Sequence, residues 1–398
     1  MRGKKRRRPQ TLTPFIDPMI RLLIVGVAIV PCVILLLPAV ALIALVSAFT
    51  STVRAVARRF EPAHMPWSEL IEFDRQLGWR PLPNLDCHYL ALDDDVFHIV
   101  TDREGWPGAT SLDENKVIVV GDSFAFGYGI DTHRSFAALT PDLSVKAVGA
   151  PGYSMVHGVR LMEQFGERLR EKLVVWFAFL ENDLQDNLAP EMRGYRAPFL
   201  RLDRTLGTWE IVDQHIRAGK WDCSELDSRR LFSSFCVPGP RADRAFAACD
   251  VLIQRARLAC DRVGAGLVIV TIPHPIQLTS KGREELATLS GMPQACDPDL
   301  PDRRIAESCR RHAVPFIIGR QHFARTDYKQ REGIHWNQRG HRRMASLLKE
   351  LYELFLSGRL AELCDDSVRP EATVVTRSTS TLTVRSQSPT ADGVGTSR

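Results

Sequence analysis

The chain has 398 residues, of which 44% are apolar and 25% charged, a composition that argues against a wholly disordered or low-complexity chain. Its net charge of +5 sits in residues 1–59, where ten Lys and Arg stand against one acid, Asp17, so the remainder carries about −4. A mildly acidic folded part argues against nucleic acid as a partner.

In chain order, residues 1–19 read as a basic cytoplasmic tail with its densest charge at Lys4–Arg8. Residues 20–53 read as a transmembrane anchor, because Leu22 to Val53 carries no charged side chain and is long enough to span a bilayer. Pro31 and Pro38 interrupt it, which membrane helices tolerate. Two alternatives are a signal peptide cleaved near Val46-Ser47-Ala48 and a short hairpin bent at the prolines. The apolar stretch is too long for the first. The cluster at Lys4–Arg8 outweighs Arg54, Arg58 and Arg59, so the positive-inside rule places the N-terminus in the cytoplasm and everything after residue 60 outside, periplasmic or extracellular. A single-pass protein of the cell membrane is expected. Residues 54–115, rich in Pro, Trp and turn residues, read as a membrane-proximal extension.

From Lys116 the pattern changes to apolar runs alternating with amphipathic segments. Val117–Val120, Val145–Val148, Leu173–Leu180, Leu267–Ile272 and Val314–Ile318 read as buried strands. Met155–Leu169, Asp243–Val263 and Arg339–Phe355 read as helices, the last with a core-facing stripe from Met344 to Phe355. The alternation predicts an α/β domain over residues 116–360, a parallel sheet covered on both faces. An insertion of about residues 188–240 falls near the sheet's C-terminal edge, and residues 361–398, dominated by Ser, Thr and Val, read as a disordered tail.

Four short blocks fall at or just beyond the strand ends. They are Gly121-Asp122-Ser123; Ala147-Val-Gly149-Ala-Pro-Gly152-Tyr-Ser; Phe179-Leu-Glu-Asn182-Asp183; and Glu332-Gly-Ile-His335-Trp-Asn337-Gln-Arg-Gly340-His341. In this order they resemble the SGNH (GDSL-type) hydrolases over roughly residues 70–358. Leu77–Pro81 and Thr101–Gly108 also resemble segments that precede Gly-Asp-Ser in membrane-anchored or exported members. The resemblance implies a flavodoxin-like three-layer sandwich, here preceded by one transmembrane helix. It also implies Ser123 as nucleophile, His335 as base, and an oxyanion hole from the Ser123 N–H, the Gly152 N–H and the Asn182 side-chain amide. The family commonly places Asp three residues before the histidine. Glu332 stands there in this chain, Asp327 is the nearby substitute, and some such enzymes work with the dyad alone. No Gly-x-Ser-x-Gly surrounds Ser123, which argues against an α/β-hydrolase elbow.

The supporting acids have plainer roles: Asp122 braces the turn and Asp183 is structural. His274, between Pro273 and Pro275, is the rival base at the same sheet edge, and His341 faces the last helix. No metal-ligand spacing or phosphate-binding glycine loop occurs, so no metal and no cofactor is expected. Among nine cysteines, Cys223 with Cys236 and Cys296 with Cys309 are candidate disulfides, beside the alternative of buried free thiols. Cys249 and Cys260 lie too far apart along one helix to bridge each other.

The expected function is a membrane-anchored extracytoplasmic serine esterase acting through an acyl-enzyme. Its substrate would be an O-acyl ester, an acetyl ester on a polysaccharide or glycoconjugate, with the acylated carbohydrate and the membrane as partners. Polysaccharide O-acetyltransfer would use the same acyl-enzyme and is the first alternative. A non-catalytic glycan-binding envelope scaffold is the second.

Overall fold

The computed structural model describes residues 38, 40, 42–49, 67–90, 95–213, 215–220, 228–330 and 333–364. The chain divides into two units, Met1–His64 and Met65–Arg398. In the first, residues 42–49 are helical, and Leu42, Ile43, Leu45, Val46 and Phe49 are each more than half exposed. Among the described residues no helix is long and apolar enough to cross a membrane. Most of the expected span at residues 20–53, and the tail from 365 onward, lie outside the described residues.

The second unit is built on five parallel strands: β1 (Val117–Gly121), β2 (Val145–Gly149), β3 (Leu173–Phe179), β4 (Gly266–Ile272) and β5 (Phe316–Ile318). Their order across the sheet is β2-β1-β3-β4-β5, with Val117 opposite both Val145 and Leu173. This is the flavodoxin-like order, and it reverses direction between β1 and β3. The strands are continuous Val/Ile/Leu runs because both faces are covered. Alternate side chains feed two separate cores. Ile118, Val120 and Trp176 point to one, and Val117, Val119 and Phe177 to the other.

Helices α1 (Met155–Phe165), α2 (Pro240–Asp261) and α4 (Leu300–Arg311) supply the first core. Helix α5 (Gln338–Leu356) closes the second with Met344, Leu347, Leu348 and Leu351. A further helix, α3 (Ser280–Leu289), precedes α4. Local chemistry sets the ends. The His157 ring accepts from the Ser154 N–H at the start of α1 at 3.0 Å, and Asn337 caps α5 by accepting from Arg339 N–H at 2.8 Å. Pro240 opens α2, where its missing N–H costs nothing. Gly158 of α1 lies against the Trp176 indole, 2.4 Å from where a Cβ would stand, so no larger residue fits there.

The five expected strands are all present, with ends shifted by two residues or fewer. The helix expected at Met155–Leu169 ends at Phe165 and finishes as a 3₁₀ turn, Gly166–Leu169. Helices α3 and α4 were not expected, and neither was β structure before Lys116. Within residues 67–90 and 95–108, Ile71–Asp74 pairs with Gly78–Pro81 and Asp86–Leu90 with Val96–Val100, both antiparallel. They contribute Leu70, Trp79, Phe97 and Ile99 to the first core. A buried ion pair joins this segment to the sheet: Lys146 of β2 meets Asp102 at 2.8 Å, and its ammonium also donates to the carbonyls of Trp106, Pro107 and Gly108. The region of the expected insertion carries two hairpins, Glu191–Met192 with Tyr195–Arg196 and Phe199–Asp203 with Thr208–Val212, and the short helix Ser228–Ser233.

Candidate active site

The site lies at the C-terminal edge of the sheet, beside the β1/β3 switch point. Gly149 at the end of β2 has the Gly121 carbonyl oxygen 2.2 Å from where a Cβ would stand, so the end of β2 approaches β1 this closely only because residue 149 is glycine. Asp122 then accepts a hydrogen bond from the Phe124 N–H at 2.9 Å, and Ser123 opens the helical turn Ser123–Phe126. His335 arrives on the loop before α5. That loop is fixed by the Lys329 N–H donating to the His335 carbonyl at 2.8 Å and by Trp336, which is buried against Phe124, Phe177 and Phe323.

The His335 ring stands between Phe124 and Tyr128, with centroids 5.2 and 4.8 Å away. Its Nε2 lies 2.7 Å from Ser123 Oγ. With the ring proton on Nδ1, Nε2 accepts the serine hydroxyl proton, the geometry a general base needs. Tyr128 is in turn packed edge-on by Trp67, Tyr89 and Phe97, so the segment before the sheet braces the aromatic that flanks His335.

The expected donors follow the C-terminal ends of three neighbouring strands: Ser123 after β1, Gly152 after β2 and Asn182 after β3. Gly152 adopts φ +82°, a conformation that favours glycine. Asn182 follows β3, heads the short helix Asp183–Asp186 and is 8% exposed. Its Nδ2 lies 3.5 Å from the Tyr153 carbonyl, and its side chain also hydrogen-bonds the Asp186 carboxyl. Among the described residues neither the Ser123 nor the Gly152 N–H donates a hydrogen bond, which leaves both available to a developing oxyanion.

The acids around the pair are held back by burial. Burial pushes the Asp122 carboxyl up to about 6 and that of Asp183 well above its ordinary value. Asp122 is committed to the turn at Phe124, and Asp183 is buried. Glu332 lies outside the described residues. Asp327, the substitute, is engaged elsewhere: it accepts from the Ala324 N–H at 2.9 Å and pairs with Arg339 and Arg343, both at 2.9 Å. Both guanidiniums come from α5, so this carboxylate anchors the helix behind the histidine loop.

The other two histidines are core residues. Burial pushes each down to about 3, so both are neutral. His274 is stacked between Phe179 and Phe232, with Nδ1 accepting from the Ile276 N–H. His341 accepts from the Phe136 N–H.

Two residues near the site were missed. Glu181, adjacent to Asn182, is pushed up to about 8 by burial. Arg193, on the tight 191–196 hairpin, lays its stem over Gly152. A Cβ on Gly152 would stand 3.1 Å from Arg193 Cγ, and 3.3 Å from the Trp79 ring. Arg193 forms no ion pair among the described residues, yet its charge eases the ionisation of Asp122, Glu181 and Asp186. Only the position of Glu181 inside the third block could have pointed to it.

Fold and site together define a three-layer α/β protein with a serine–histidine pair at its switch point. No protein-family model matches the chain, and no curated protein matches it. Solved structures similar to it include a GDSL-like lipase from Bacteroides thetaiotaomicron, 12% identical, covering 62% of this chain and 91% of that one with a TM-score of 0.33. A putative acylhydrolase from Bacteroides fragilis is 11% identical over 63% and 93%, with a TM-score of 0.35. The acetylxylan esterase Axe2 from Geobacillus stearothermophilus is 11% identical over 60% and 94%, with a TM-score of 0.32. Likeness at this level carries no weight for activity; the site geometry does.

Proposed function

We propose that this chain is a serine ester hydrolase acting on short O-acyl esters through a Ser123 acyl-enzyme. The observation that carries the proposal is the 2.7 Å contact between His335 Nε2 and Ser123 Oγ at the sheet's switch point. Ser123 Oγ attacks the ester carbonyl as its proton passes to His335 Nε2. The tetrahedral oxyanion is received by the Ser123 and Gly152 N–H groups and the Asn182 amide. Collapse expels the alcohol, which takes the proton from His335, and water then attacks the acyl-serine with His335 as base. The aromatic collar of Phe124 and Tyr128 limits the ring's rotation between these steps.

An acetyl ester on a carbohydrate is the substrate class we favour, on the resemblance of the four blocks to SGNH hydrolases and an extracytoplasmic location. Support for that location is the basic N-terminus, the uncharged stretch Leu22–Val53, and the exposed apolar side chains of residues 42–49. The full-length protein given p-nitrophenyl acetate should hydrolyse it, and Ser123→Ala should abolish that turnover. Absence of Ser123-dependent release would overturn the proposal. Release stimulated by added sugar acceptors would assign acyl transfer instead. A reporter fused at the C-terminus should be active outside the cytoplasm; cytoplasmic signal would overturn the anchoring.

A further inference from the structure

Of the two candidate disulfides, Cys296–Cys309 is not formed, both residues being free thiols, and Cys223–Cys236 has one partner, Cys223, outside the described residues. Cys309 faces the first core from α4, with Ile305 and Ala306 beside it. Cys296 turns to a different neighbour. The Asp297 N–H donates to the Cys236 carbonyl at 2.7 Å, which lays the backbone around Cys296 alongside Cys236. Cys236 is part of the first core, and Cys296 packs against that core from the half-exposed side, so the two thiols interact directly.

We propose that Cys236 and Cys296 form a disulfide under oxidising conditions, stapling the end of the insertion to the loop between α3 and α4. The two thiols are suited to different steps. Cys296 is partly exposed, and its thiol is pulled down to about 7 by Cys236 and Ser290, so it supplies the attacking thiolate. Cys236 is buried and pushed up, and it serves as the resolving thiol. Cys296 Sγ attacks one sulfur of a small disulfide such as oxidised glutathione and releases one glutathione thiolate. Cys236 then loses its proton and attacks Cys296 Sγ in the mixed disulfide, releasing the second. Two protein thiols are oxidised and one glutathione disulfide is reduced to two thiols, so the exchange balances.

The staple would act close to the candidate site. Phe232, four residues before Cys236, stacks on His274 at 5.5 Å, and His274 stacks on Phe179 at 6.3 Å. Phe179 packs on Phe124, which flanks His335. The bond would thus fix the near end of an aromatic row that leads to the base.

The test uses full-length wild-type protein, either reduced or equilibrated with excess oxidised glutathione, then blocked with N-ethylmaleimide and mapped by mass spectrometry. The expected result is a Cys236–Cys296 linked peptide pair, lighter by two hydrogens than the two thiol peptides. The unfolding midpoint of the oxidised protein should rise by about 5 °C or more, because the bond closes a long loop. Maleimide on both cysteines after full oxidation overturns the proposal. So does glutathione retained on Cys296, or linkage of Cys236 to Cys223 or of Cys296 to Cys309. The mapping needs no variant, so a folding defect cannot obscure it. It is also independent of whether Ser123 hydrolyses esters.

Discussion

Two loops at the same edge of the sheet each present a histidine, and they treat it in opposite ways. The loop before α5 holds His335 by its backbone and leaves Nε2 on Ser123 Oγ. The loop after β4 buries His274 between two phenylalanines and commits Nδ1 to the Ile276 N–H. A position beyond a strand's C-terminal end is therefore not sufficient for a base. The ring must keep one nitrogen on the nucleophile and be able to carry charge. His274 fails the second condition, since burial holds it neutral.

The sharpest way to break this comparison is to remove each ring. His335→Ala should lower p-nitrophenyl acetate turnover by about 10⁶-fold, as loss of the histidine of a serine–histidine catalytic unit does. His274→Ala should lower the unfolding midpoint and leave the folded fraction within about tenfold of wild-type turnover. Equal losses of turnover in the two variants would show that the site has been assigned to the wrong loop. Next in size is Asn182→Ala. It should reduce kcat by about 10²–10³-fold with KM little changed, because its amide is needed only once charge develops on the oxyanion.

The parts of this site that were legible in the sequence are those fixed by short-range chemistry. The serine just past β1, the glycine after β2 and the asparagine just past β3 stand in short local blocks, and the resemblance of those blocks, in their order, to the SGNH hydrolases marked them. The β strands were legible because burial on both faces makes them unbroken apolar runs. Helix α4 was not, although it is amphipathic: its buried face of Pro301, Asp302, Ile305, Ala306, Ser308 and Cys309 holds a single large aliphatic side chain and includes a carboxylate, so no apolar stripe marks it. Arg193 and the pairing of Asp327 with Arg339 and Arg343 were illegible for another reason. Each depends on which segments the fold brings together, and nothing local to those residues records it.

The buried pair Lys146–Asp102 is of the same kind, and it tests how far the segment before the sheet supports it. Lys146→Met leaves Asp102 buried without its cation, which should cost about 3–5 kcal/mol in chemical denaturation. Replacing both partners with apolar residues should restore part of that loss, because no charge is then stranded. A single variant as stable as wild type would show that the segment 67–108 folds onto the sheet without this contact.

The smallest effect concerns Glu181, whose carboxyl is pushed up to about 8, mainly by burial. Its unfolded value is about 4.3, so the penalty for ionising it in the folded protein is absent below that pH and grows as pH rises to about 8. In this window the folded state holds a proton the unfolded chain has lost, and the contribution of Glu181 to stability falls with rising pH. Glu181→Gln removes that dependence. Its unfolding midpoint should match wild type near pH 4 and exceed it by a few degrees near pH 8, measured by calorimetry at matched ionic strength. If the difference instead shrinks as pH rises, the ionised carboxylate is stabilised by its neighbours. Arg193 would then be its counter-ion, and the insertion would be tied to the third block by charge.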